Sequence, residues 1–113
     1  MSEFGKGLCY NLGLFLAHAE RFKEDDSFGA NTIAHIWFNG ASGHLYEMQT
    51  ESAPTPELKK RCDAFKTRCL KWGHGLEHTA TKRKVLWSIQ EAKDILRAID
   101  SAHGVETEKG KWE

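Results

Sequence analysis

Leu8, Leu12, Phe15, Ala19 and Phe22 recur at alternating intervals of four and three, the spacing that lines one face of a helix. The pattern predicts a first helix from about Lys6 to about Glu24, with Leu14 and Leu16 widening its apolar arc. Asp25, Asp26, Ser27 and Gly29 then end it and offer caps for a second.

The stretch from about Asn31 to Gln49 is apolar nearly all round at Ile33, Ile36, Trp37 and Phe38. Gly40-Ala41-Ser42-Gly43 follows, then Leu45, Tyr46 and Met48. A buried helix whose small residues admit a close neighbour is the favoured reading. A β-hairpin turning at Asn39-Gly40 is the alternative, because Asn-Gly between apolar runs is a hairpin signal.

Ser52-Ala53-Pro54 reads as a linker, and Thr55-Pro56-Glu57 as the N-cap, N1 and N2 of a third helix. Its seam is Leu58, Cys62, Phe65, Cys69, Trp72 and Leu76. Gly73 and Gly75 fray or end it. A fourth helix starts at Thr79 or Thr81, carries Val85, Ile89, Ala92, Leu96 and Ile99 inward, and stops at Gly104. The prediction is an all-α, four-helix bundle-like single domain over residues 1–104, with a polar tail over 105–113.

Composition agrees with that class. Only two prolines occur in 113 residues, too few turn signals for a sandwich. Cys9, Cys62 and Cys69 are an odd set, which suits a reducing compartment better than a disulfide framework. Lys6, the apolar run from Leu8 to Leu16 and Ala17-His18-Ala19 imitate a signal peptide, but Glu3 and Asn11 spoil the imitation. No apolar run approaches the ~18–20 residues of a membrane span. A cytoplasmic chain without membrane contact is expected.

Charge sharpens the picture. Sixteen basic groups balance sixteen acidic ones, and a neutral chain has little repulsion against self-association, so a homo-oligomer is expected. The charges are unevenly placed: residues 57–84 hold nine basic and three acidic groups, and both flanks are net acidic. Lys82-Arg83-Lys84 would occupy the first turn of the fourth helix, where the macrodipole favours acids. An anion bound there would reverse the sign. Lys71, Lys82, Arg83 and Lys84 are therefore the candidate anion-binding residues, with RNA or DNA backbone phosphate as ligand. The competing reading pairs these cations with the acidic helices of the same chain. Trp72 and Trp87 flank the segment in positions that suit packing better than base stacking.

Three further patterns bear on chemistry. His74-Gly75-Leu76-Glu77-His78 has the form His-x-x-Glu-His of inverted zinc proteases, in which His74 and His78 would hold the metal and Glu77 would act as base. The chain is too short downstream for a third ligand and a substrate chamber. A zinc or nickel site made by His74 and His78 alone, completed by another chain, asks for less. Cys62 and Cys69 do not join it in a zinc-finger spacing, and they fall on the apolar seam.

Arg68 precedes His74, and Arg97 precedes His103, by the same interval. This resembles the Arg–His motif of small helical RNases of the HEPN type, although Cys69 and Ala98 stand where those enzymes favour a polar residue. The resemblance implies Arg68 and His74 as a catalytic pair, with the imidazole as acid/base and the guanidinium stabilising a phosphorane.

Finally, Asn11, His35, Asn39, His44 and Tyr46 set polar groups among apolar ones. His35, Asn39, Ser42 and Tyr46 share one helical face, either as a small-ligand pocket floored by residues 40–43 or as a stripe bonding across the fold. The favoured function is a non-enzymatic helical interaction protein: a homo-oligomer, or a small subunit of an assembly that contains nucleic acid. The alternative is a helical RNase or metal-dependent hydrolase using Arg68, His74 and His78.

Overall fold

Thr55 begins the third helix as its sequence predicts. Its Oγ1 accepts a hydrogen bond of 3.1 Å from the Leu58 amide, and its carbonyl takes the Lys59 amide at 2.9 Å. Pro56 follows with its φ preset and Glu57 sits in the first turn. The computed structural model describes residues 3–21, 38–73 and 81–111, with side chains described for 7–21, 38–73 and 81–102. Its helices are α1 (Glu3–Glu20), α2 (residues 38–42), α3 (Pro56–Gly73) and α4 (Lys82–Lys111). Two 3-10 turns, Gly43–Glu47 and Thr50–Ser52, lead from α2 to α3. The described residues form an all-α globule without a strand.

The periodic residues face inward. Leu8, Leu12, Phe15 and Ala19 of α1 are buried with Leu58, Cys62, Phe65 and Cys69 of α3 and Val85, Ile89, Ala92 and Ile99 of α4. Leu14 and Leu16 are half-buried at the edges of the α1 stripe. One seam position shifts. Ile95 is fully buried and Leu96 only half-buried. Steps of three then four from Ala92 reach Ile99 through Ile95, and steps of four then three reach it through Leu96, so spacing alone could not choose.

At the centre, aromatic side chains of all four helices close a ring. Phe15 meets Phe38 at 5.9 Å and Phe65 at 5.5 Å, both edge-on at 87°. Phe65 lies 6.2 Å from Trp87, Trp87 5.5 Å from Trp72, and Trp72 6.5 Å from Phe38. Edge-to-face pairs of this kind add roughly 0.5–1.5 kcal/mol each beyond their buried area.

Three expectations need correction. Asn39 and Gly40 are helical, so the hairpin reading fails, and the helix does not run on to Gln49 either. It tightens into the 3-10 turn at Gly43, and Met48 leaves it extended (φ −70°, ψ 123°). Outside donors satisfy the carbonyls that the helix gives up. Asn11 Nδ2 donates to the Glu47 carbonyl at 3.2 Å and Lys66 Nζ to the Met48 carbonyl at 3.1 Å. Gly104 does not stop α4, whose backbone stays helical to Lys111; a helical glycine costs about 1 kcal/mol, and no proline follows to enforce the stop. The described α1 begins at Glu3 rather than Lys6 and ends at Glu20, with Arg21 in a turn. Phe22, the caps near Gly29 and the apolar run Ile33–Trp37 lie outside the described residues.

Gly73 shows how closely α3 approaches α2. A Cβ there would drive into Ser42 Oγ and come within 3.1 Å of Ser42 Cβ and 3.4 Å of Asn39 Cα. Ser42 is fully buried and donates to the Asn39 carbonyl at 3.2 Å. Gly73→Ala is therefore expected to destabilise the protein by about 1–3 kcal/mol, as overpacking does, despite alanine's better helix propensity. Adding Ser42→Ala removes the hydroxyl in the way and should restore part of the loss. Urea denaturation of the single and double variants measures both effects.

Candidate nucleic-acid interface

A helix that buries Cys62, Phe65 and Cys69 turns the stripe of residues 63–64, 67–68 and 71–72 away from the core centre and towards α4. Asp63, Ala64, Thr67, Arg68, Lys71 and Trp72 line one wall of a groove of about 660 Å³, and Lys84 of α4 lines the other. Arg68 and Lys71 thus stand on one helix face with Lys84 opposite.

Two of the three cations rest on indole. The Arg68 guanidinium lies 5.0 Å from the Trp87 ring centroid, and Lys84 Nζ lies 5.4 Å from that of Trp72. Such contacts contribute about 0.5–1 kcal/mol where exposed. Trp87 is 36% exposed while its ring also touches Phe65, so the pair carries the core out to the groove. Asp63, the acid in the lining, is already engaged. Lys59 Nζ donates to it at 2.7 Å, and that bond, with a second from Thr50, holds its carboxyl below the usual range.

The first turn of α4 holds the predicted anomaly. Thr81 caps it, with its Oγ1 accepting from the Lys84 amide at 3.3 Å, and no acid occupies the turn. Lys82 and Arg83 are exposed there, and neither lines the groove. The structure therefore groups Lys84 and Lys71 with Arg68, a residue singled out in the sequence for catalysis rather than anion contact. The missed signal was helical. Arg68, Lys71 and Trp72 follow one another at the spacing of a single helix face.

Other cations of residues 57–84 do pair within the chain. Arg61 forms a two-pronged bond to Glu91 across α3 and α4, Nε to Oε2 at 3.0 Å and Nη2 to Oε1 at 2.9 Å. Lys66 serves the carbonyls after α2. Among the described residues, Lys71 and Arg83 have no ion pair.

The cysteines are seam residues. Burial pushes the Cys62 thiol up to about 11 and the Cys69 thiol up to about 12, and it raises Cys9 as well. Neutral thiols in apolar surroundings are poor metal ligands and poor nucleophiles. Among the described residues no three or more His, Cys, Asp or Glu side chains cluster to hold a metal. His74, Glu77, His78 and His35 lie outside the described residues, and so does the imidazole of His103.

The described members of the proposed polar stripe are divided between surface and interior. Asn39 and Tyr46 are exposed, while Ser42 is sealed against Gly73. Asn11, by contrast, bonds across the fold. Its Nδ2 donates to Gly7 at 2.8 Å as well as to Glu47.

No helix of the described residues is long and apolar enough to cross a membrane. Compared with known families, curated proteins and solved structures, the chain matches no family model, no curated protein and no solved structure.

The raised thiols set a pH dependence. In the unfolded chain they ionise near their ordinary value of about 8.5, while in the folded chain Cys62 and Cys69 stay protonated to about 11 and 12. A raised folded value contributes stability that is complete below the unfolded pKa and lost as pH rises, so the urea midpoint should fall from about pH 9 upward. Cys62→Ala/Cys69→Ala should flatten that decline relative to its own value at pH 7. At pH 8, thiol-reactive disulfides should modify Cys62 and Cys69 only on unfolding.

Proposed function

We propose that the protein is a non-enzymatic helical interaction module that contacts the phosphate backbone of RNA or DNA through its α3–α4 groove. It works as a homo-oligomer or as a small subunit of a larger assembly. The convergence of Arg68, Lys71 and Lys84 on one groove beside Trp72 carries this reading. Intramolecular pairing accounts for Lys59 and Arg61, so the groove cations are those left facing outward. Lys82 and Arg83 extend the positive surface along the first turn of α4, which holds no acid.

Positioning on phosphate rather than base-specific readout suits this surface, because lysine and arginine heads seek backbone oxygens whatever the sequence. The bundle-like arrangement and self-association belong to the same proposal. The neutral chain offers little repulsion between copies, and Tyr10 and Tyr46 are 64% and 58% exposed, large apolar surfaces away from the core.

Fluorescence anisotropy of short labelled RNA and DNA across a salt series tests the proposal. Log affinity should fall linearly with log salt, and Lys71→Ala and Lys84→Ala should each reduce the slope by about 0.7–0.9, one phosphate contact apiece. Absent or salt-independent binding, or a slope that neither substitution changes, sinks it.

A further inference from the structure

His18 of α1 and His44 of the 3-10 turn come from separate segments and lie side by side. Their ring centroids are 5.7 Å apart and their planes tilt by 58°. Gly40 makes room for the pair. A Cβ on Gly40 would sit 3.0 Å from Cε1 and 3.2 Å from Nε2 of His18, so any larger residue would crowd the imidazole. Both histidines are half-buried. Burial first, then the charges of His44 and Arg21, hold His18 below the ordinary imidazole value.

The spacing suits a shared ion. Two imidazoles on one tetrahedral zinc, with Zn–N bonds of about 2.0–2.1 Å, hold their ring centres roughly 5 Å apart. A small rotation of either ring spans the difference.

We propose that His18 and His44 form a two-histidine site for a divalent transition metal of the zinc or nickel class, joining α1 to the turn after α2. Among the described residues no third His, Cys, Asp or Glu completes a cluster with them. Imidazole suits both metals. The proposed ligands are not the His74 and His78 of the sequence motif, and neither lines the phosphate-contact groove.

The experiment uses the full chain carrying His74→Ala and His78→Ala, so that the second histidine pair cannot report. Calorimetric titration with zinc chloride or nickel chloride should find one equivalent bound, and saturating metal should raise the Tm because the ion binds only the folded pair. His18→Gln or His44→Gln in that background should each weaken binding at least ~10-fold and abolish the Tm rise. No binding in the parent, or unchanged binding in both variants, overturns the proposal. Imidazole NMR resonances of the unsubstituted chain give a check that needs no variant. Zinc should shift those of His18 and His44, and shifts confined to the other histidines reject the site.

Discussion

The closed ring of Phe15, Phe38, Trp72, Trp87 and Phe65 is the contact on which the rest of the structure depends. Each of the four helices contributes at least one member, and every member touches two others at centroid distances of 5.5 to 6.5 Å. A ring constrains more than a chain of contacts does. Moving α1, α2 or α4 breaks two aromatic pairs and moving α3 breaks four, and in a close-packed interior no such gap refills without cost. The ring also grades from inside to outside. Phe15, Phe38 and Phe65 are fully enclosed, while Trp72 and Trp87 reach the surface. The aromatic faces beneath the basic groove are thus the outer edge of the core.

That continuity explains why the positive charges stand where they do. Arg68 and Lys84 lie over the indoles of Trp87 and Trp72, so their aliphatic stems cover apolar surface and their charged heads stay beside π-faces. The three cations in the first turn of α4 oppose its dipole by a few tenths of a kcal/mol each, and the contact of Lys84 with Trp72 offsets part of that. Elsewhere in the same segment Arg61 meets Glu91, and Lys66 caps the carbonyls of the turn after α2. Internal pairing and outward-facing charge therefore coexist, divided by helix face.

Much of the fold was legible because burial follows helical period. Leu58, Cys62, Phe65 and Cys69 of the α3 seam are buried and Thr55 caps the helix as the spacing predicts, since both depend on local geometry alone; Trp72 is half-buried, and Leu76 lies outside the described residues. The hairpin alternative at Asn39-Gly40 arose because dipeptide statistics ignore neighbours. Phe38 docks on Phe15, and Ser42 docks on Gly73, from a helix that runs through this stretch. The end of α2 was hidden for the same reason. Asn11 and Lys66, distant in sequence, supply the donors that let the chain leave the helix after Gly43. The choice of Ile95 over Leu96 likewise needs the orientation of α4 against its neighbours, which no periodicity within α4 contains.

The candidate site was legible as charge but not as shape. Lys71 and Lys84 stood out by composition and helix position, and neither feature says that the two meet across a groove. Arg68 was sorted by its distance along the chain from a histidine, whereas its measurable relation is to Trp87, a helix away. Sequence counts charges along a line, and a helix pair folds that line so that residues 68, 71 and 84 face one another. Trp72 and Trp87 were correctly read as packing residues. In this fold, packing is also what holds the cations at the surface: a side chain can belong to the core through one ring face and carry a surface charge on the other.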